Sequence, residues 1–181
     1  MNEMVLLLLV FLPFTLFSQN GVLPISEETG KITYQSVVQV DGTSKNDLYK
    51  RGKTWFINTF SSSENVIEYE DKEEGIIMGK GLFPVKANMV SAGHVRFTIK
   101  IEFKDGRYRY TLTDFWHTGE YDSSYDSNTV GDLKEEKPGG FMGGMGKRAW
   151  NKIKEQTNFH ATQMLASLKE KMDAKAANDD W

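Results

Sequence analysis

The sequence contains no cysteine among its 181 residues. This absence excludes disulfide bonds, thiolate metal ligands and a nucleophilic cysteine, even in an oxidising compartment. It also excludes a lipoprotein anchor, because that lipid is attached to a cysteine that follows the export signal. Any stability must therefore come from packing of a single core.

The sequence also lacks a strong excess of charge of one sign. The formal net charge is −3, with 22 Lys and Arg against 25 Asp and Glu. A nucleic-acid-binding domain normally carries a clear basic excess, so we expect no nucleic acid as a partner.

Catalytic signatures are missing as well. No Ser-His-Asp triad and no paired carboxylates can be assigned from the spacing of residues, and no motif implies a cofactor. This absence favours a non-catalytic module over an enzyme.

Long apolar runs are absent apart from one at the N-terminus, from Val5 to Phe17. Its roughly 13 residues fall short of the ~20 that a membrane-spanning helix needs, and Pro13 interrupts it. We interpret residues 1–18 as a signal peptide, although no Lys or Arg precedes the run. A segment retained as a membrane anchor is the alternative. The prediction is an exported protein, periplasmic or secreted, with no stable membrane span after cleavage.

The exported part alternates strand and helix patterns. Residues from Ile32 to Val40 have the period of two that is typical of a half-buried strand. Ser44, three residues before Asp47, predicts the start of a helix that carries Trp55. Two further strands are predicted, Val66 to Glu70 and Ile76 to Val85.

The clearest local pattern is a hairpin. Apolar and polar residues alternate from Val95 to Phe103 and from Tyr108 to Leu112, and Asp105-Gly106 separates the two runs. Asp-Gly between such runs predicts a two-residue type I′ turn, which sets the register of the strands. Glu102 then faces Arg109.

Residues 117–146 show no period and end in a glycine-rich stretch, which predicts a flexible loop. From Lys147 to about Ala176 apolar residues recur every three or four positions, which predicts one long helix. We therefore expect an α+β fold in a single domain, residues 23–176. It has one antiparallel sheet of about five strands, with two helices packed on one face.

Two groups of residues are candidates for ligand binding. Gly79 and Gly81 share one face of a predicted strand and leave a trough, which either Trp55 or a ligand can fill. On the polar face of the hairpin, cations form a stripe that suits an anionic partner, or is simply a solvated surface. The members of this stripe are Arg96, Lys100, Lys104, Arg107 and Arg109.

A metal site is the sharpest chemical hypothesis. The hairpin register places His94 opposite His117, and two imidazoles on neighbouring strands can share a metal ion. Asp114, on the apolar face opposite Phe97, either supplies a carboxylate or lies where the sheet ends.

Several short segments also resemble a known family. It is an exported bacterial domain of unknown function with a TATA-binding-protein-like (TBP-like) fold, frequent in Gram-negative envelope proteins. The resemblance implies the fold and an export route, and it implies no catalytic residues. The segments that carry it, between Leu23 and Met172, are Gly30–Tyr34, Val37–Val40, Ser44-Lys45, Leu48-Tyr49, Trp55-Phe56, Gly79–Gly81, Lys104–Tyr108, Trp150, Ile153-Lys154 and Ser167–Lys169.

Together these observations favour an envelope protein that acts as a non-catalytic binding or structural module. Its partner is an unidentified envelope component or protein, and the sequence leaves the oligomeric state open. The alternative is a small enzyme or ligand-binding domain that uses the Gly79/Gly81 trough, with residues 117–146 as a lid.

Overall fold

The computed structural model describes residues 23–60, 66–87, 90–119, 131–134 and 146–174. The predicted signal peptide therefore lies outside the described residues. In chain order the elements are β1 (Tyr34–Gln39), α1 (Lys45–Thr59), β2 (Ile67–Asp71), β3 (Ile76–Ala87), β4 (Val90–Lys104), β5 (Arg107–Thr118), β6 (Gly131–Asp132) and α2 (Lys147–Asp173).

The strands form one antiparallel sheet in the order β1-β5-β4-β3-β2, and β6 pairs with the far end of β5. The expected α+β fold is confirmed.

The prediction that residues 117–146 lack regular structure is wrong in part. His117 and Thr118 belong to β5, and Gly131 of β6 pairs with His117. Leu133, which follows β6, is buried. The remainder of that segment, residues 120–130 and 135–145, lies outside the described residues.

The β4–β5 hairpin has the predicted register near its turn, where Phe103 faces Tyr108 and Glu102 faces Arg109. The predicted turn type is wrong. A type I′ turn needs positive φ at both central residues, and only Gly106 has it, at φ 71°.

The hairpin register shifts between Arg96 and Thr98, because β5 contains one more residue than β4 at this point. The extra residue is Asp114, which adopts a left-handed backbone conformation with φ 58°. This is the geometry of a β-bulge, which bends the strand locally and re-aims the side chains beyond it.

Helix α1 begins where the sequence predicts. The Ser44 hydroxyl accepts a hydrogen bond of 3.1 Å from the Asp47 backbone N–H, which satisfies one unpaired donor of the first turn. Its buried residues, including Leu48 and Trp55, lie on one side of the helix and face the sheet.

Both helices cover the same side of the sheet. Trp55 Nε1 of α1 donates a hydrogen bond of 3.0 Å to Ser167 Oγ of α2, and Tyr34 Oη of β1 donates one of 2.7 Å to Asn158 Oδ1 of α2. The core lies between these helices and the sheet. Its predicted members are all buried except Val38, which is partly buried: Ile32, Tyr34, Leu48, Trp55, Ile77, Phe97, Ile99, Ile101, Tyr110, Leu112, Trp150, Ile153, Met164, Leu165 and Leu168.

Candidate functional site

The side of the sheet that faces away from the helices is here called the open face. Alternate residues of each strand point to it, because successive side chains of a strand point to opposite sides. Val37 of β1 and Leu82 of β3 are exposed on it, by 53% and 62%. The cations that the three central strands place on this face are Lys80, Arg96, Lys100, Lys104, Arg107 and Arg109.

Carboxylates offset only part of this positive charge. Glu102 accepts two hydrogen bonds from Arg109, with Nε–Oε2 2.7 Å and Nη2–Oε1 2.8 Å, and it also lies 3.2 Å from Lys100 Nζ. Hydrogen bonding from Arg109 holds the pKa of the Glu102 carboxyl below its usual value. Lys80 is paired with Glu68 of β2, with Nζ–Oε1 2.8 Å. Within the described residues Arg96, Lys104 and Arg107 have no ion pair, so the cations named above outnumber the two carboxylates that pair with them.

A cleft of about 530 Å³ opens at the end of the open face, beside the bulge in β5. Its volume falls within the range of ordinary ligand pockets. We call it the bulge cleft. It is lined by Lys31, Ile32, Lys80, Arg96, Phe97, Thr98, Asp114, Phe115, Trp116 and Asp132.

Two contacts shape the bulge cleft. The Arg96 guanidinium lies 5.6 Å from the centroid of the Trp116 ring, a cation–π arrangement that presents both groups to the open face. Lys31 Nζ lies 2.7 Å from Asp114 Oδ1 and joins the segment before β1 to the bulge. The cleft therefore combines cationic, carboxylate and aromatic groups.

The glycine trough is filled by side chains of this chain, and Trp55 is not the nearest of them. A Cβ added to Gly79 would lie 3.0 Å from Phe56 Cε1 and 2.3 Å from the Val66 carbonyl oxygen. One added to Gly81 would lie 2.8 Å from Phe60 Cε1 and 2.4 Å from Phe97 Cζ. The prediction that Trp55 occupies the trough is therefore wrong.

Trp55 instead packs edge-to-face against the rings of Phe56 and Phe60, with centroids 5.3 Å and 5.9 Å away. The trough faces the helices, and the predicted cations face the opposite side of the sheet. The six ligand-binding candidates thus separate into two groups: Gly79, Gly81 and Trp55 lie in the core, and Arg96, Lys100 and Arg109 lie together on the open face.

The predicted histidine pair does not form. Because of the bulge, His117 lies opposite Val95 and His94 lies opposite Thr118. His117 is fully buried, with Nε2 2.6 Å from the Ala92 carbonyl oxygen and its ring edge-on to Trp150. His94 is exposed on the other side of the sheet. The two side chains cannot share a metal ion, and the described residues contain no group of three or more His, Cys, Asp or Glu side chains able to hold one.

Asp114 is exposed and lies in the ion pair with Lys31, so its predicted place on the apolar face opposite Phe97 is wrong. The alternative, that Asp114 lies where the sheet ends, is also wrong, because β5 continues to Thr118 and its residues beyond Asp114 pair with β4 and β6.

Sequence reasoning missed Trp116 and Lys31 as members of the bulge cleft. Simple alternation from Leu112 places Trp116 on the buried face, and the bulge turns it to the open face. Lys31 is distant in sequence from the hairpin, so only the folded chain brings it to Asp114.

The sheet order and the two helices on one side define the class of this protein as an α+β domain with a TBP-like fold. Residues 34–118 match the model of a family described as a domain of unknown function (DUF4468) with TBP-like fold. The resemblance inferred from the sequence is confirmed over these residues.

Solved structures agree on the fold. A TBP-like protein from Parabacteroides distasonis superimposes with a TM-score of 0.66 at 13% identity, covering 85% of this chain and 99% of that one. A DUF4468 family protein from Bacteroides ovatus gives a TM-score of 0.63 at 17% identity, covering 83% and 91%. None of the curated proteins matches this chain in sequence. Among the helices of the described residues, none has the length and apolar composition to cross a membrane.

Proposed function

We propose that this protein is an exported, non-catalytic binding module that holds an anionic component of the cell envelope on its open face. The observation that carries the proposal is the excess of cations on that face. Glu102 is shared by Arg109 and Lys100, and Lys104 and Arg107 have no ion pair within the described residues. A surface with an excess of one sign of charge attracts an extended polymer or membrane surface of the opposite sign.

The bulge cleft supplies the point of closest contact in this proposal. Arg96 is held over Trp116, and such a pair offers a charge-assisted donor beside an apolar ring. Phosphate and carboxylate groups both suit the guanidinium, because its planar fork matches their oxygens. A phosphate-bearing lipid and an acidic glycan therefore share the chemistry that this site selects.

The packing of the glycine trough supports a binding role over the alternative of an enzyme. An enzyme of that design needs an open cavity at Gly79 and Gly81, and there Phe56 and Phe60 fill the space against the strand. The other face of the sheet, in contrast, offers a ligand-sized cleft that is open to solvent.

The test uses protein recovered from the periplasmic fraction of an expressing Gram-negative cell, with its intact mass showing whether residues 1–18 have been removed. Binding is measured to vesicles that contain phosphatidylglycerol in phosphatidylcholine, to pure phosphatidylcholine vesicles and to polygalacturonate. We expect binding to at least one anionic probe, with steep weakening as NaCl rises from about 50 to about 250 mM, because screening shortens the range of surface charges.

The variant Arg96→Glu/Lys100→Glu should weaken this binding about tenfold or more, since each cation near an anionic surface contributes about 1 kcal/mol. The matched control is Lys50→Glu/Lys169→Glu, which makes the same change of net charge at exposed positions of the two helices. Equal loss in both variants, or no binding of any anionic probe at low salt, would refute the proposal. Recovery of uncleaved protein from the cytosol would refute export.

A further inference from the structure

Strand β1 forms one edge of the sheet. Val40 N donates a hydrogen bond of 2.8 Å to the Gly106 carbonyl oxygen, which continues the ladder between β1 and β5. In an antiparallel ladder, alternate residues exchange both backbone bonds with the neighbouring strand. Even-numbered residues of β1 therefore bond to β5, and the N–H and C=O groups of Gln35, Val37 and Gln39 point away from the sheet. No strand among the described residues pairs with them.

The two edges of the sheet differ in their protection. Proteins usually shield an edge strand with charged side chains, proline or a bulge, which prevent pairing with another chain. Strand β2 has such devices, with Glu68, Glu70 and Asp71 and a register shift after Ile67. Strand β1, YQSVVQ, has no charge, no proline and no bulge. Its unprotected edge is therefore suited to pairing with another strand.

The pattern of β1 is symmetric about Val37. Gln35 and Gln39 lie two residues to either side of it, and all three point to the open face and are exposed. If β1 pairs antiparallel with β1 of a second copy, with Val37 on the two-fold axis, Val37 faces Val37 of the second copy and Gln35 faces its Gln39. Each opposed pair then consists of like side chains, valine with valine and glutamine with glutamine. About six backbone hydrogen bonds can form between the two strands.

We infer that β1 is a dimer interface, through which two copies of this chain join their sheets edge to edge. A second copy fits better than a charged peptide because this edge has no charge to select one. The segment before β1 already pairs at the N-terminal end, where Thr33 N donates to the Pro24 carbonyl oxygen, and it leaves Gln35 to Gln39 uncovered. This inference stands apart from the proposed function, because it uses the edge of the sheet and not the charge of its face.

The dimer would also align two open faces in one continuous surface. An interface made mainly by one short strand is small, so we expect a dissociation constant in the micromolar range, at the weak end of specific interfaces. The β1 edge thus predicts a concentration-dependent dimer.

The test is sedimentation equilibrium of the protein that lacks residues 1–18, over a concentration series that spans the micromolar range. We expect a monomer–dimer equilibrium. Val37→Lys should raise the dissociation constant at least tenfold, because it places like charges directly opposite each other on the axis. The control is Leu82→Lys, which adds the same charge at an exposed position of the interior strand β3 and should leave the dimer unchanged.

A second measurement does not depend on the stability of the lysine variant. The chain has no cysteine, so Val37→Cys introduces its only thiol. Opposed hydrogen-bonded residues have Cα atoms about 5.5 Å apart, within the range that a disulfide bridges. Val37→Cys should form a disulfide-linked dimer under mild oxidation far faster than Tyr69→Cys on the β2 edge. A monomer at all concentrations would overturn the inference. So would a dimer whose dissociation constant is unchanged by Val37→Lys, or equal rates of disulfide formation for Val37→Cys and Tyr69→Cys.

Discussion

At the scale of single residues, Asp114 has the largest effect on the candidate site. Asp114 is the extra residue of the bulge in β5 and has positive φ. Because of it, every later residue of β5 faces a different partner on β4 than regular pairing predicts. The consequence is chemical: Trp116 joins Arg96 on the open face, and His117 enters the core. Asp is tolerated in this conformation better than β-branched residues, whose side chains clash with the backbone there.

The first prediction concerns substitutions of Asp114. Asp114→Gly should change the free energy of unfolding by at most about 1 kcal/mol, because glycine adopts positive φ without strain and the exposed ion pair contributes little. Asp114→Val should lower the free energy of unfolding by about 2 kcal/mol more than Asp114→Gly does. Urea denaturation measures both, and Lys31→Gln serves as a control that removes the ion pair alone. Equal stability of the valine and glycine variants would show that the backbone conformation is not constrained.

At the scale of elements, the β4–β5 hairpin is held on its open face by one carboxylate between two cations. The Glu102 side chain is about one fifth exposed, and it bonds to Arg109 across the strands and to Lys100 along its own strand. Such a cross-strand pair contributes about 0.2–1 kcal/mol. Because hydrogen bonding from Arg109 lowers the pKa of Glu102 in the folded state, this contribution depends on pH.

The second prediction follows from the direction of that pKa change. A carboxyl with a lowered folded-state pKa stabilises the fold fully above its unfolded pKa, and the stabilisation is lost as pH falls through the folded pKa. The difference in unfolding free energy between the native protein and Glu102→Gln should therefore be constant from pH 7 to about 5. It should begin to fall near the ordinary glutamate pKa of about 4.3 and disappear only at a pH below the lowered folded-state pKa. Urea denaturation across this range measures it. Asp47→Asn in the first turn of α1 provides a comparison at a carboxylate outside the hairpin. If the difference in unfolding free energy between the native protein and Glu102→Gln grew on acidification, the pKa of Glu102 would not be lowered in the folded state.

At the scale of the whole molecule, one contiguous core joins both helices to the sheet. The last turn of helix α2 packs against helix α1 at one end of this core. Met172 is fully buried and packs over Gly52 of α1, where an added Cβ would lie 3.2 Å from its Cε. The Met172 carbonyl also accepts a hydrogen bond from the Arg51 guanidinium. The end of one helix thus fixes the position of the other.

The third prediction tests this coupling. Met172→Ala should lower the unfolding free energy by about 2–4 kcal/mol, because the lost side chain leaves a cavity between the helices. Unfolding should remain a single transition that near-UV and far-UV circular dichroism report together, as expected of one core. Phe159→Ala, at a position of the same helix that is 60% exposed, should cost less than about 1 kcal/mol. Separate transitions for helices and sheet would contradict a single core.

The sequence by itself determined the features that depend on neighbours along the chain. The stripe of α2, the Ser44 cap of α1 and the hairpin register near Asp105-Gly106 all follow from local periodicity and turn chemistry, and the structure confirms them. The candidate cations were found in the same way, because alternation within one strand places Arg96 and Lys100 on the same face.

Only the tertiary structure decided where these elements meet. The bulge at Asp114 leaves no mark in a pattern of apolar and polar residues, so that pattern alone gave the wrong partners for His94 and His117. The glycines at 79 and 81 predicted a close approach, and the packing of α1 on the sheet brings Phe56 and Phe60 there instead of Trp55. Backbone strain and helix orientation are set by contacts between distant segments, and a linear sequence pattern does not contain them.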